Sequence, residues 1–179
     1  MKFNWKFIKE NKKAIRFLLV FVGAYVVLNS LYGFYVQQYS PTSDPLTRVV
    51  SDHVVLVLRW FDSSVQGYVS NFNEYIAIAN DSENMIYVFE GCNSLNVMIV
   101  YISFLIAFTG PMKSFFKFTV AGFVGIYLLN LIRLVLLYGV TFYFPDQLYF
   151  FHKYLFTGII YVVVFVFWYF WVRTARANG

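Results

Sequence analysis

FTVAGFVGIYLLNLIRLVLL, residues 118–137, is an apolar run whose single charged side chain is Arg133. A helix needs about 20 apolar residues to cross the hydrocarbon core of a bilayer, and this run has that length. Two other runs, 17–36 and 154–172, are comparable, and a fourth, 95–108, is shorter but nearly uninterrupted. We therefore predict an all-α polytopic membrane protein with about four transmembrane helices.

The overall composition agrees with a membrane protein. Of the 179 residues, 60% are hydrophobic, 23% are aromatic and only 13% are charged, whereas a soluble domain carries about 25% charged residues. The formal net charge of +5 would suit nucleic-acid binding, but the basic residues lie beside the apolar runs, which is typical of membrane topology. We therefore expect a lipid bilayer rather than nucleic acid as a partner. The length predicts one membrane-embedded domain over residues 1–179.

The basic residues also predict the orientation of the chain. Of the 14, all but Arg48, Arg59, Arg133 and Lys153 precede the first apolar run, separate the second from the third or follow the fourth: Lys2, Lys6, Lys9, Lys12, Lys13, Arg16, Lys113, Lys117, Arg173 and Arg176. With four spans all of them fall on one side, which the positive-inside rule identifies as cytoplasmic. Every acidic residue except Glu10 then falls on the other side or at its membrane edge. We expect both chain ends in the cytoplasm and residues 37–94 outside.

The outer segment is predicted to begin with an amphipathic helix. Ser43, Asp44 and Pro45 supply a capping side chain and a proline for the first turn. Apolar residues then recur at helical spacing: Leu46, Val49, Val50, Val54, Val57, Leu58, Phe61 and Val65. A helix of this kind is expected to lie along the membrane interface.

A short β-hairpin is predicted to follow that helix. Residues 75–79 and 85–89 are rich in side chains that favour strands, and the polar stretch 80–84 separates them. The second strand leads directly into Glu90-Gly91-Cys92. The hairpin is therefore expected to end beside the only cysteine of the chain.

Three chemically capable residues are predicted to share one depth near the outer surface. With the loop around Gly110 and Pro111 as a common floor, Cys92 lies 17 residues before Thr109 and Arg133 lies 17 residues after Phe116. Both therefore rise about 26 Å. His152 immediately precedes the fourth apolar run and reaches a similar level. The sequence thus predicts a site where three helix ends meet.

Each of these residues also has a purely structural interpretation. A lone cysteine in a membrane helix usually behaves as a small hydrophobe. Arg133 could extend its head to the interface, and His152 could be an interfacial side chain among tyrosines. Against this, a charge inside an apolar run is costly and is a functional candidate by default. His53 has no chemical partner in the sequence, and we expect it to be structural.

The predicted chemistry follows from the surroundings of the cysteine. A helix that starts after Gly91 would favour the thiolate of Cys92, so with Arg133 nearby we expect its pKa below the ordinary thiol value, despite the opposing charge of Glu90. Imidazole titrates near neutral pH, which suits His152 to general acid or base catalysis. One cysteine cannot form an internal disulfide, and the sequence has no metal-ligand motif, so neither a metal nor a cofactor is expected.

Three motifs resemble those of the exosortase/archaeosortase family in order and spacing. They are Glu90-Gly91-Cys92-Asn93-Ser94-Leu95, Asn130-Leu131-Ile132-Arg133-Leu134, and Phe151-His152 with Gly158 beyond. The short length and the Cys-Asn-Ser form look most like the compact F-type exosortases of Bacteroidetes. The resemblance covers about residues 85–172.

The resemblance implies a membrane cysteine transpeptidase or protease in the bacterial inner membrane, with its active site at the outer face. Its substrates would be exported proteins ending in a short motif, a membrane helix and a basic tail, which it would transfer to an envelope glycan or lipid acceptor. By motif, Cys92 would be the nucleophile, Arg133 would stabilise the thiolate or the oxyanion, and His152 would carry the proton. No cofactor is implied.

This chain departs from many exosortases directly after the cysteine, where Asn93-Ser94 stands in place of Ser-Gly. Ser94 is predicted to cap the next helix or to line the pocket, and Asn93 and Asn130 are further candidates for pocket or support. The competing class is a non-catalytic membrane assembly factor or chaperone. Such a protein should tolerate serine or alanine at position 92.

Overall fold

The computed structural model describes residues 11–81 and 84–177. Four charged residues used for the predicted orientation, Lys2, Lys6, Lys9 and Glu10, lie outside these ranges, as do Ser82 and Glu83 of the predicted hairpin turn. The described chain is mostly α-helical with one small sheet.

The longer helices in chain order are α1 (Lys12–Gln37), α2 (Pro45–Leu58), α3 (Leu95–Ala107), α4 (Met112–Tyr143) and α5 (Phe156–Ala177). A continuous helical run over Pro145–Ala177 contains α5. This run, α1 and α4 are long and apolar enough to cross a membrane, whereas the apolar α3 has only 13 residues. The prediction of a mostly α-helical membrane protein is confirmed, and the count of four spans stays a prediction because α3 is short.

The helices extend beyond the apolar runs that predicted them. α4 exceeds the run 118–137 at both ends. The helical run that contains α5 begins at Pro145 rather than at residue 154, and it includes a π-helical segment, Phe151–Leu155. His152 therefore lies inside the helix and not before it. Apolar composition marks the part of a helix that faces lipid, but backbone hydrogen bonds continue past it.

The sheet has three antiparallel strands in the order β1-β2-β3. They are β1 (Gln66–Val69), β2 (Tyr75–Ala79) and β3 (Asn84–Phe89). The predicted hairpin is the β2–β3 pair, and β1 pairs with the other edge of β2. The sequence missed β1 because its four residues are all exposed, so no alternation of buried and exposed side chains marks the strand.

The N-terminus of α2 forms as predicted, but its buried face differs from the predicted apolar stripe. The Asp44 carboxylate accepts hydrogen bonds from the backbone N–H groups of Leu46 at 3.0 Å and Thr47 at 3.1 Å. The buried residues of the helix are Thr47, Val50, Ser51, Val54, Val55 and Leu58. The helix ends at Leu58, so Phe61, which is 81% exposed, lies beyond it. α2 packs against α4 and the sheet, and this contact selects the buried face.

α3 packs against α1, α4 and α5. Its Tyr101 is fully buried and donates a hydrogen bond to the carbonyl of Phe118 in α4 at 2.7 Å. The tyrosine ring lies over Gly122, where a Cβ atom would overlap it. Because Gly122 has no side chain, α3 can approach α4 closely at this position.

We expect Gly122→Ala to destabilise this packing, because the added Cβ would overlap the Tyr101 ring, which its buried hydrogen bond to the Phe118 carbonyl holds in place. Overpacking a helix contact costs about 1–3 kcal/mol. Gly139→Ala is the matched control in the same helix, since a Cβ there meets nothing within 4 Å. Thermal unfolding of the detergent-solubilised protein should show a lower Tm for the first variant only. Equal Tm values for both variants would contradict the packing.

Candidate functional site

Cys92 is the last residue of a short 3-10 turn, Glu90–Cys92, that follows β3 directly. Its side chain is only 2% exposed. Asn93 and Ser94 separate this turn from α3, and Ser94 has a φ of 66°, a left-handed conformation that is uncommon outside glycine. Cys92 therefore precedes α3 and does not begin it.

Asn93 caps α3, and the predicted capping by Ser94 is wrong. The Asn93 side-chain carbonyl accepts a hydrogen bond from the N–H of Leu95 at 3.0 Å. The Ser94 hydroxyl instead donates to the backbone carbonyl of Asn93 at 2.6 Å. The N–H of Leu95, the first of α3, thus bonds to Asn93 and not to the thiol.

The Asn93 amide also connects the cysteine turn to the first two helices. It donates to the Tyr32 hydroxyl of α1 at 2.7 Å and to the Thr47 hydroxyl of α2 at 3.1 Å. Tyr32 in turn donates to the backbone carbonyl of Glu90 at 3.3 Å, and Thr47 donates to the Asp44 carboxylate. These polar contacts fix the turn from one side.

Sequence reasoning missed Tyr32 and Thr47. A tyrosine near the end of an apolar run is normally assigned to the aromatic belt at the membrane surface. Thr47 falls outside the apolar pattern of α2, although it is fully buried. Asn93, which the sequence did single out, is the residue that joins them.

Asn130 of α4 holds the cysteine turn from the other side. It is buried, and its amide donates to the backbone carbonyl of Cys92 at 2.7 Å. Its own side-chain carbonyl accepts from Nη1 of Arg133, one helical turn further on, at 3.5 Å. A continuous polar connection therefore runs from the backbone of Cys92 to the guanidinium.

Arg133 contacts His152 in the π-helical segment before α5. Its Nη2 lies 3.2 Å from Nε2 of the imidazole. Because a guanidinium can only donate, Nε2 accepts, and the ring is neutral with its proton on Nδ1. Nε of Arg133 is buried and has no hydrogen-bond partner in the described part of the chain. The Nε–H of the arginine is thus one donor that could bind a further acceptor.

A cavity of about 430 Å³ contains both Cys92 and His152. Its other walls are apolar or aromatic side chains of β3, α4 and the helical turn after it: Ile86, Tyr87, Leu134, Leu137, Leu148 and Tyr149. Ligand pockets span roughly 300–1,000 Å³ and are mostly apolar with a few polar groups. The cavity therefore has the size and lining of a small binding pocket with a thiol and an imidazole in its wall.

The other histidine has a structural contact. Nδ1 of His53 in α2 lies 2.5 Å from the Tyr127 hydroxyl of α4, and the two rings meet edge to face. His53 does not line the cavity of Cys92. The contact ties α2 to α4.

Burial raises the pKa of the Cys92 thiol above its ordinary value. A backbone hydrogen bond with Phe89 and the charge of Arg133 act in the opposite direction, and Glu90 adds to the rise. The predicted lowering of the pKa is therefore wrong, because the thiol does not lie at the start of α3 and its desolvation outweighs Arg133. At neutral pH the resting thiol is protonated, and a nucleophilic role needs a base.

Comparison with known proteins adds the family. A family model described as transmembrane exosortase matches residues 9–172, a range that contains Cys92, Arg133 and His152. No curated protein matches the chain, and no solved structure matches it.

Proposed function

Because this chain belongs to the transmembrane exosortase family, we propose that it is a membrane cysteine transpeptidase that cleaves the C-terminal sorting signals of exported proteins. The observation that carries the proposal is the cavity shared by Cys92 and His152. The contact of 3.2 Å between Arg133 and His152 supports it. A nucleophile, a proton carrier and a cation that donates to the oxyanion are the groups that acyl transfer from a peptide requires.

The first half of the proposed reaction forms a thioester. The scissile carbonyl of the substrate enters the cavity, which Arg133 does not line at rest. The guanidinium, whose buried Nε has no partner in the described residues, then turns and donates to the carbonyl oxygen as negative charge develops there. As the guanidinium turns to that oxygen, Nε2 of His152 is released and takes the proton of the Cys92 thiol. The thiolate attacks the carbonyl carbon, the peptide C–N bond breaks, and the imidazolium protonates the leaving amine.

The second half transfers the substrate to an acceptor. An amine on an envelope glycan or lipid enters, neutral His152 takes its proton, and the amine attacks the thioester carbonyl. The new amide forms, the C–S bond breaks, and Cys92 leaves as a thiolate that His152 reprotonates. Attack by water in place of the amine would give a protease with the same residues.

We assign the bacterial inner membrane as the location, with the cavity of Cys92 at its outer face. Lys13, Arg16 and Arg176 line a separate cavity of about 700 Å³ together with Phe108, at the end of α3 remote from Cys92. Clustered basic residues at one end of a helical bundle favour a cytoplasmic position for that end. This arrangement supports the outer position of Cys92.

The proposal is tested by comparing envelope proteins from cells with and without the gene. Without it, a set of exported proteins should retain the C-terminal motif, helix and basic tail, and the wild-type gene should restore their removal. The readout is mass spectrometry of C-terminal peptides in membrane fractions. Normal processing in the deletion strain would refute the proposal.

A further inference from the structure

The free edge of β3 forms one wall of the cavity that contains Cys92. Ile86 and Tyr87 both line this cavity, although neighbouring side chains in a strand point to opposite faces of the sheet. Their exposure shows this alternation, since Ile86 is 8% exposed and Tyr87 52%. A cavity that touches both side chains lies beside the edge of the strand. No residue of β1 or β2 lines it, which fits the edge opposite β2.

In the part of the chain that the structure describes, no other strand pairs with this edge. β3 is the last strand in the order β1-β2-β3, so one of its edges is paired and the other is free. In such a strand every second residue directs its N–H and C=O away from the neighbouring strand. Within the described part of the chain, residues 86–88 make no backbone hydrogen bonds beyond those to β2, whereas the backbone of Phe89 is hydrogen-bonded to the Cys92 thiol.

We infer that this edge binds the substrate segment before the scissile bond as an added strand, parallel to β3. The ligand is an extended polypeptide, held through its backbone, with alternate side chains directed into the cavity. The inference rests on the proposed function, and it names how the same site holds its substrate.

The direction of the added strand follows from the position of the thiol. β3 ends at Phe89, and the turn Glu90–Cys92 continues from it. The segment that becomes the acyl group likewise precedes the carbonyl that Cys92 attacks. A peptide running alongside β3 in the same direction therefore delivers that carbonyl to the thiol, whereas an antiparallel peptide would place the acyl segment away from β3.

The cavity wall also sets the side chains that the added strand would present. Ile86, Leu134, Leu137 and Leu148 line it together with Tyr87 and Tyr149. The residue of the substrate that faces this wall should be apolar, because a charged side chain there would lose its hydration without gaining a partner. Residues on either side of it face out of the cavity and are not selected.

The inference is tested with the full-length protein in nanodiscs and a defined probe. The probe is a tetrapeptide of alternating valine and threonine that ends in an acyloxymethyl ketone, which alkylates a reactive thiol. Analogues carry one N-methyl group at each successive peptide nitrogen. If the peptide pairs with β3, methylation at alternate positions should slow labelling of Cys92 about tenfold and methylation between them should not, since each lost backbone hydrogen bond is worth about one such factor. Equal effects at all positions, or none, would overturn the inference.

A pair of variants provides a second measurement. Tyr87→Ala should slow labelling by the peptide ketone about fivefold or more, while Tyr68→Ala is the matched control on the opposite edge of the sheet, 53% exposed and outside the cavity. Iodoacetamide, which has no peptide backbone, measures the access to Cys92 in each variant, and each peptide rate is divided by the iodoacetamide rate of the same variant. Equal peptide labelling of the two variants would overturn the inference.

The two proposals can fail separately. If N-methylation has the same effect at every position and the deletion strain retains the sorting signals, the strand pairing is refuted and the transpeptidase proposal stands. If N-methylation slows labelling at alternate positions but the deletion strain processes its exported proteins normally, the transpeptidase proposal is refuted. The edge of β3 is then a binding site for extended peptides without that activity.

Discussion

Cells that carry Cys92→Ala in place of the wild-type protein are expected to accumulate exported proteins with intact C-terminal helices, while the variant stays in the membrane at normal levels. The thiol is the nucleophile in the proposed reaction, so its removal should reduce processing on the order of 10³-fold or more. Folding should survive, because the change removes a single sulfur atom from the cluster around Leu134 and Leu137. The measurement is the ratio of unprocessed to processed substrate in membrane fractions, beside immunoblots of the variant.

Two further variants make this result specific. Cys92→Ser should also be inactive, because a serine hydroxyl needs a stronger base than the neutral imidazole of His152. Ser103→Ala is the matched control, since Ser103 is a buried side chain of α3 whose hydroxyl donates within the helix, to the carbonyl of Ile99. If Cys92→Ala cells process their substrates normally, the chain is a membrane assembly factor and not an enzyme.

The parts of the fold that the sequence predicted are those with a chemical signature. The bilayer demands long apolar runs, and these identified α1, α4 and α5. The Asp44–Pro45 start of α2 was predictable because capping depends on one side chain and its neighbours. β1 had no such signature, since backbone pairing with β2 holds four exposed residues together.

The surroundings of Cys92 were also hard to predict, because no local sequence pattern determines them. The left-handed backbone of Ser94 moves the start of α3 away from the cysteine, and no local pattern requires a serine to adopt that conformation. Asn93 and Asn130 were candidates for support, but their partners lie on other helices. The pKa of the thiol depends on burial, which only the folded chain determines.

In the proposed mechanism the resting site is inactive. Burial keeps the Cys92 thiol protonated, and Nε2 of His152, the atom that would accept its proton, is occupied by Arg133. A substrate carbonyl competes with His152 for the guanidinium and so frees the base when the acyl group is in place. This arrangement protects a single thiol from adventitious acylation or oxidation.

Two substitutions of Arg133 should distinguish the contribution of its charge to substrate processing from the contribution of its planar set of donors. Arg133→Lys keeps the positive charge, but an ammonium cannot reproduce the planar fork of donors that binds His152 at rest and then turns to the oxyanion. Loss of one such donor typically costs 10²–10³-fold in rate, so we expect processing to fall about 100-fold. Arg133→Gln should lose at least as much, because it removes the charge as well.

The same two variants should differ in the pKa of Cys92. The charge of Arg133 lowers the pKa of the thiol, so its removal in Arg133→Gln should raise that pKa further, whereas Arg133→Lys should leave it close to the wild-type value. Alkylation requires the thiolate, so the midpoint of iodoacetamide labelling against pH should move upward in Arg133→Gln, and labelling at pH 7 should slow. The measurement is the labelling rate in nanodiscs between about pH 6 and 10. An unchanged midpoint in Arg133→Gln would show that the arginine does not act on the thiol, and wild-type processing by Arg133→Lys would show that only its charge is used.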